Sequence, residues 1–133
     1  MSGRVVHFEV PFDDGDRARA FYEKAFGWDI ALIPEMDYTL ASTGPTSEEA
    51  RPSEPGFING GLMARSNTFQ GPVLTLDVDD VEAALAKVEE LGGKIVQPRQ
   101  EVPGMGYTAY FNDPEGNLMG MWQNLPQATG PEE

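Results

Sequence analysis

A chain of 133 residues, 40% hydrophobic and 23% charged, is long enough for one domain with a real core, and without cysteine it excludes disulfides and thiolate chemistry. The formal net charge of −13 argues against a nucleic-acid partner, since phosphate binding needs a basic surface; it suits a solvated acidic surface or a cationic ligand. No apolar run is long enough to span a bilayer, and the N-terminus has no signal-peptide pattern, so the expectation is a cytoplasmic protein with no membrane partner.

Val5 to Pro11 alternates as a strand, with Val6, Phe8 and Val10 on one face and His7, Glu9 and Pro11 on the other. Asp14 or Asp16 caps a helix running to about Phe26, whose expected buried stripe is Ala18, Phe21, Tyr22, Ala25 and Phe26; Gly27 ends it. Trp28 to Ile33 and Met36 to Ser42 follow as strands. Thr43 to Gly56, rich in Pro, Gly, Ser and Glu, reads as an exposed, mobile loop. Phe57 to Arg65 resumes as a strand containing Gly60-Gly61, a place for a bulge or for close approach to the backbone.

Val73 to Val78 is the next strand. Asp79 with Glu82 fits a capping box for a helix over 80–91 that buries Val81, Ala84, Leu85, Val88 and Leu91. Gly92-Gly93 ends that helix, Lys94 to Val96 is a short strand, and Pro98 to Gly106 is a loop. Tyr107 to Phe111 and Leu118 to Gln123 form a hairpin around the turn Asp113-Pro114-Glu115-Gly116. From Pro126 the chain reads as frayed.

The halves repeat. Each reads strand, helix, glycine stop, three strands, with Phe26-Gly27 matching Leu91-Gly92 and Pro34 matching Pro98. Alternation on the last strand sets Leu118, Gly120 and Trp122 against Met119 and Met121. Alternation outward from Gly61 groups Phe57, Asn59 and Met63. An apolar cavity with a few polar groups follows from this grouping, and such a cavity is what a small-molecule site needs. The same residues would equally serve to pack a core or a dimer interface. The faces of Tyr38, Tyr107 and Tyr110 are not fixed by pattern. Pro103-Gly104-Met105-Gly106 precedes a strand, not a helix, so it lacks the context of a phosphate loop.

This order, with Phe21-Tyr22-Glu23-Lys24-Ala25-Phe26-Gly27-Trp28 and Asp113-Pro114-Glu115-Gly116-Asn117, resembles the vicinal oxygen chelate superfamily, which includes glyoxalase I, bleomycin-resistance proteins and extradiol dioxygenases. The resemblance runs from about Val5 to Gln123. It implies a single domain over 1–133, α+β in class, of paired βαβββ modules (about 4–65 and 72–124) forming a curled mixed sheet cup. It also implies a homodimer. Metal-dependent relatives place one ligand on the first and last strand of each module, and these positions fall on His7, Gly61, Val73 and Gly120. Three of the four offer no donor, so His7 is the sole metal candidate of the set, with Glu9 and Asp77 as nearby carboxylates. No cofactor is therefore expected, and a divalent metal is the lesser alternative.

The leading reading is a glyoxalase/bleomycin resistance-like protein that binds a small organic molecule through His7, Glu9, Phe57, Asn59, Met63 and Trp122, without the usual metal centre. The alternative is a divergent lyase- or dioxygenase-type enzyme using His7 and Glu9. A third is a non-catalytic dimer whose cup is filled by its own side chains. Whether the protein is an enzyme stays open at this point, as does its ligand.

Overall fold

Two successions of strand, helix and three strands make up the chain, and the class is α+β. The computed structural model describes residues 3–48 and 51–126. Its elements are β1 (Val5–Phe12), α1 (Gly15–Phe26), β2 (Asp29–Ile33), a 3-10 turn (Pro34–Met36), β3 (Tyr38–Ser42), β4 (Asn59–Ala64), β5 (Val73–Asp77), α2 (Val81–Glu90), β6 (Lys94–Val102), β7 (Gly106–Asn112) and β8 (Leu118–Asn124). Val5–Thr75 forms one compact unit, and the residues from Leu76 onward form another with the segment before Val5. Of the end expected to fray, which begins at Pro126, residues 127–133 lie outside the described residues. Among those described, no helix is long and apolar enough to cross a membrane.

In the first unit the strands lie side by side in the order β2-β3-β4-β1. β1 runs parallel to β4, pairing His7 with Asn59, Glu9 with Gly61 and Pro11 with Met63. β3 runs antiparallel to β4, pairing Leu40 with Gly61. Asp14 is the N-cap of α1, its carboxylate accepting from the Arg17 N–H, and Gly27 closes the helix at φ 74°, in the left-handed region that glycine tolerates.

The expected buried stripe of α1 is corrected: no residue of α1 is buried, and Phe21 and Phe26 are 55% and 65% exposed. The reason is Trp28. Its indole stacks on Tyr22 at 4.6 Å and lies 5.5 Å from Phe8, so it occupies the space beneath the helix. Phe21 and Phe26 pack edge-to-face on each other outside it. Arg19 anchors the helix to the sheet by donating to Thr39 Oγ1 at 3.1 Å.

The 43–56 segment is not structureless where it is described; Glu49 and Ala50 lie outside the described residues. The Ser47 N–H donates to the Arg51 carbonyl and the Ser53 N–H to the Pro45 carbonyl, with Thr46 and Pro52 bridged. Asn59 ties the segment to the sheet. Its Oδ1 accepts from the Thr43 N–H at 2.9 Å and its Nδ2 donates to Thr46 Oγ1 at 3.0 Å.

In the second unit α2 packs on β7 and β8 through Val81, Leu85, Ala109, Phe111 and Met121, with Met119 beside them. The cap is Asp80, one residue later than the sequence suggested, accepting from the Glu82 and Ala83 N–H groups. Bonds from Val78 N–H to the Trp122 carbonyl and from Val81 N–H to Gln123 Oε1 hold the chain extended through Asp79, which delays the helix. β6 continues past Pro98 to Val102 because register shifts between Ile95/Gln97 and Gln97/Gln100 absorb the missing proline N–H on an edge strand. In the β7–β8 turn, Asp113 Oδ1 accepts from the Glu115 and Asn117 N–H groups, and Gly116 takes φ 85°. These bonds hold the Asp113 carboxyl below its ordinary value, the Asn117 backbone N–H being the largest cause.

Candidate functional site

His7 and Glu9 lie on the same face of β1, the face turned away from α1. Alternation allows this, and the register adds Asn59, Gly61 and Met63 of β4 to the same face. The sequence left open what stands on the far side of Gly61, and it is Tyr38. Leu40 is Gly61's direct partner on β3, so Tyr38 is its diagonal neighbour. The Tyr38 phenol lies across the glycine, so that a Cβ built at Gly61 would collide with its hydroxyl oxygen and the ring carbon that bears it. Crossing a bare backbone position in this way lets a β3 side chain reach β1, two strand spacings away.

The Tyr38 hydroxyl stands between the two β1 groups. It donates to Glu9 Oε2 at 2.8 Å and lies 3.0 Å from His7 Nε2. A phenol has one proton. An ionised carboxylate can only accept, so that proton points at Glu9, and His7 must donate through Nε2–H. The neutral histidine is thereby fixed as the Nε2–H tautomer. Burial holds the His7 pKa below its ordinary 6.5, with the Glu9 charge pulling less strongly the other way. Glu9 is 7% exposed. The result is a chain of hydrogen bonds, His7 to Tyr38 to Glu9, on one sheet face of the first unit.

Of the other residues singled out from sequence, Asn59 is 9% exposed and pairs with His7 in register, but both ends of its amide hold the 43–56 segment. Phe57 packs its ring over Gly44, where a Cβ would lie 2.7 Å from it. Met63 is half-buried opposite Pro11. Trp122 belongs to the second unit. It faces away from the α2 core that holds Met121, its ring covers Gly106, and its indole N–H donates to Asn124 Oδ1 at 2.8 Å. Asp77 makes backbone bonds with Gly3 and Arg4. Tyr38 is the residue whose face pattern reading left open. The signal was the Gly60-Gly61 pair, a strand position that something must approach closely: Phe8 covers Gly60 on one face and Tyr38 covers Gly61 on the other.

Residues 4–44 match the model of the bleomycin resistance protein-like N-terminal family. The chain is 30% identical over 115 residues to CFP32 of Mycobacterium tuberculosis, named "Putative glyoxylase CFP32", covering 83% of this chain and 41% of that one. It is 27% identical over 125 residues to a "Glyoxylase-like domain-containing protein" of Didymella fabae, covering 88% and 91%. A solved structure from Vibrio splendidus 12B01, described as a glyoxalase/bleomycin resistance protein/dioxygenase superfamily member, superposes with TM-score 0.60 at 17% identity over 92% of this chain and 99% of that one. The chain is similar to proteins of the glyoxalase/bleomycin resistance/dioxygenase superfamily. It spans about two-fifths of the length of the CFP32 relative.

Metal-dependent members of this superfamily would use the positions of His7, Gly61, Val73 and Gly120. The residues present do not fit that centre. The space for a side chain at Gly61 is taken by the Tyr38 ring, and the His7 nitrogen facing it carries the proton donated to the phenol. Val73 is 2% exposed and offers only hydrocarbon. Among the described residues no group of three or more His, Cys, Asp or Glu converges to hold an ion.

Proposed function

We propose that this protein binds a small organic molecule against the His7–Tyr38–Glu9 face, without the four-ligand metal centre. The observation that carries the reading is the phenol of Tyr38 lying over Gly61 and bonded to both His7 and Glu9. It puts a preformed polar anchor where metal-dependent relatives would place a ligand. The glyoxylase names of the relatives support a small-molecule role. Self-association into a homodimer belongs to the same reading and is measured by light scattering.

Elemental analysis of protein purified without added metal tests the metal-free part, with well under one equivalent of Ni, Zn, Fe or Mn per chain expected. Stoichiometric metal that disappears in His7→Ala overturns it. A second reading, a divergent lyase-type enzyme, is favoured by the same hydrogen-bond chain, which joins a carboxylate to an imidazole through a phenol and so offers a path for a proton. Turnover of the glutathione hemithioacetal of methylglyoxal, lost in Glu9→Gln, would select this second reading.

A further inference from the structure

Among the described residues, β2 and β6 are the strands with a neighbour on one side only, and they meet solvent differently. β6 is guarded against pairing with another chain. Pro98 lies within it, its register with β7 shifts twice, and Lys94, Arg99 and Glu101 charge it. β2, Asp-Ile-Ala-Leu-Ile, has no such guard. Its pairing with β3 runs without a shift from Asp29–Ser42 to Ile33–Tyr38, and its only charge is Asp29, at the first position. Among the described residues, 29–33 make no backbone bond beyond the β3 ladder. The bonds of an antiparallel strand alternate between its two sides, so every second residue of β2 turns its N–H and C=O outward. Ala31 is exposed, and Leu32 is 48% exposed.

We infer that two copies of the chain pair through β2, antiparallel and centred on Ala31. The inference rests on the proposed homodimer and names its surface. A two-fold axis at Ala31 sets that residue opposite itself, Ile30 of each copy opposite Leu32 of the other, and Asp29 of each opposite Ile33 of the other. Ile30 and Leu32 share a face, so two Ile–Leu pairs form there and cover the exposed Leu32. Asp29 meets an apolar residue, so no like charges oppose each other along the seam, although each chain carries −13. The strand is thus complementary to itself in sequence as well as in backbone, which selects a second copy over an unrelated strand.

Sedimentation equilibrium of the full chain over a dilution series reads the dimer constant, and amide hydrogen exchange at 29–33 reads the edge. The parent should dimerise, with the outward amides of β2 protected. Ala31→Lys and Ala31→Glu each oppose like charges at the axis and should each weaken the dimer about fivefold, with those amides deprotected. An equal mixture of the two variants should recover the parent's affinity. Ala31 is exposed, so both variants should keep the parent's far-UV circular dichroism. General repulsion between acidic chains would be eased by Lys and worsened by Glu, so weakening by both marks local opposition. Phe21→Lys, on the exposed side of α1, should leave the dimer constant unchanged. A dimer that withstands both Ala31 variants, or that yields to Phe21→Lys instead, overturns the edge and leaves the homodimer standing. Weakening by both without recovery in the mixture overturns the register at Ala31 and the inference with it. A chain that stays monomeric throughout the series overturns edge and homodimer together, and leaves the proposed binding face untouched.

Discussion

Gly61→Ala is the most informative single substitution. The new methyl would enter the Tyr38 phenol, and the backbone on either side is fixed by pairing to Glu9 and Leu40, so the phenol must move. Movement breaks two hydrogen bonds. One goes to a carboxylate, worth about 1.5–3 kcal/mol, and one joins neutral groups, worth about 0.5–1.5 kcal/mol, so a loss of roughly 2–4 kcal/mol is expected. With an unfolding entropy of about 2.1 cal/mol/K per residue over 133 residues, this lowers Tm by about 7–14 °C. In a Tyr38→Ala background the methyl meets no phenol. Alanine is favoured over glycine in a strand by about 0.5–1 kcal/mol, so the same substitution should there become neutral or stabilising. Thermal and urea unfolding of the four proteins of this cycle measure the coupling. Equal destabilisation in both backgrounds, or a loss below about 0.5 kcal/mol in the parent, would refute the placement of Tyr38 over Gly61 and the trio with it.

Because burial holds His7 below 6.5, its contribution to stability is fully present above that value and is lost as pH falls through the lowered folded-state value; His7→Gln should flatten the urea midpoint against pH below 6.5, and an unchanged slope would count against a buried neutral His7. Asp113, also depressed, contributes above 3.8 and loses its contribution as pH falls through its folded-state value, so Asp113→Ala should lower Tm at neutral pH and lessen the acid-limb loss, with Asp113→Asn in between. Asn59→Ala removes both ties to the 43–56 segment, and limited proteolysis should then cut there at least tenfold faster while the β7–β8 hairpin amides keep their exchange protection. Asp80→Ala should cost about 1 kcal/mol through loss of the α2 cap, whereas Asp79→Ala should cost little, as read by urea unfolding.

The sequence by itself determined the repeated βαβββ order, both helices to within a residue or so at each end, and the shared face of His7 and Glu9. All of these depend on periodicity, and the periods of helix and strand are properties of the local backbone. The β7–β8 turn was equally legible, because Asp, Pro and Gly each suit one turn position for a local reason. Tertiary structure decided the rest. The stripe of α1 had helical spacing, but whether Phe21 and Phe26 are buried depends on Trp28, which follows the helix and takes the space beneath it. The cap of α2 moved to Asp80 because bonds to β8 hold the preceding residues extended. The length of β6 depended on a partner strand whose register could shift around Pro98. The anchor of the candidate site needed three strands. Tyr38 reaches Glu9 and His7 because β4 lies between β3 and β1 and offers a glycine at the crossing, and strand order of that kind is not written in any local pattern.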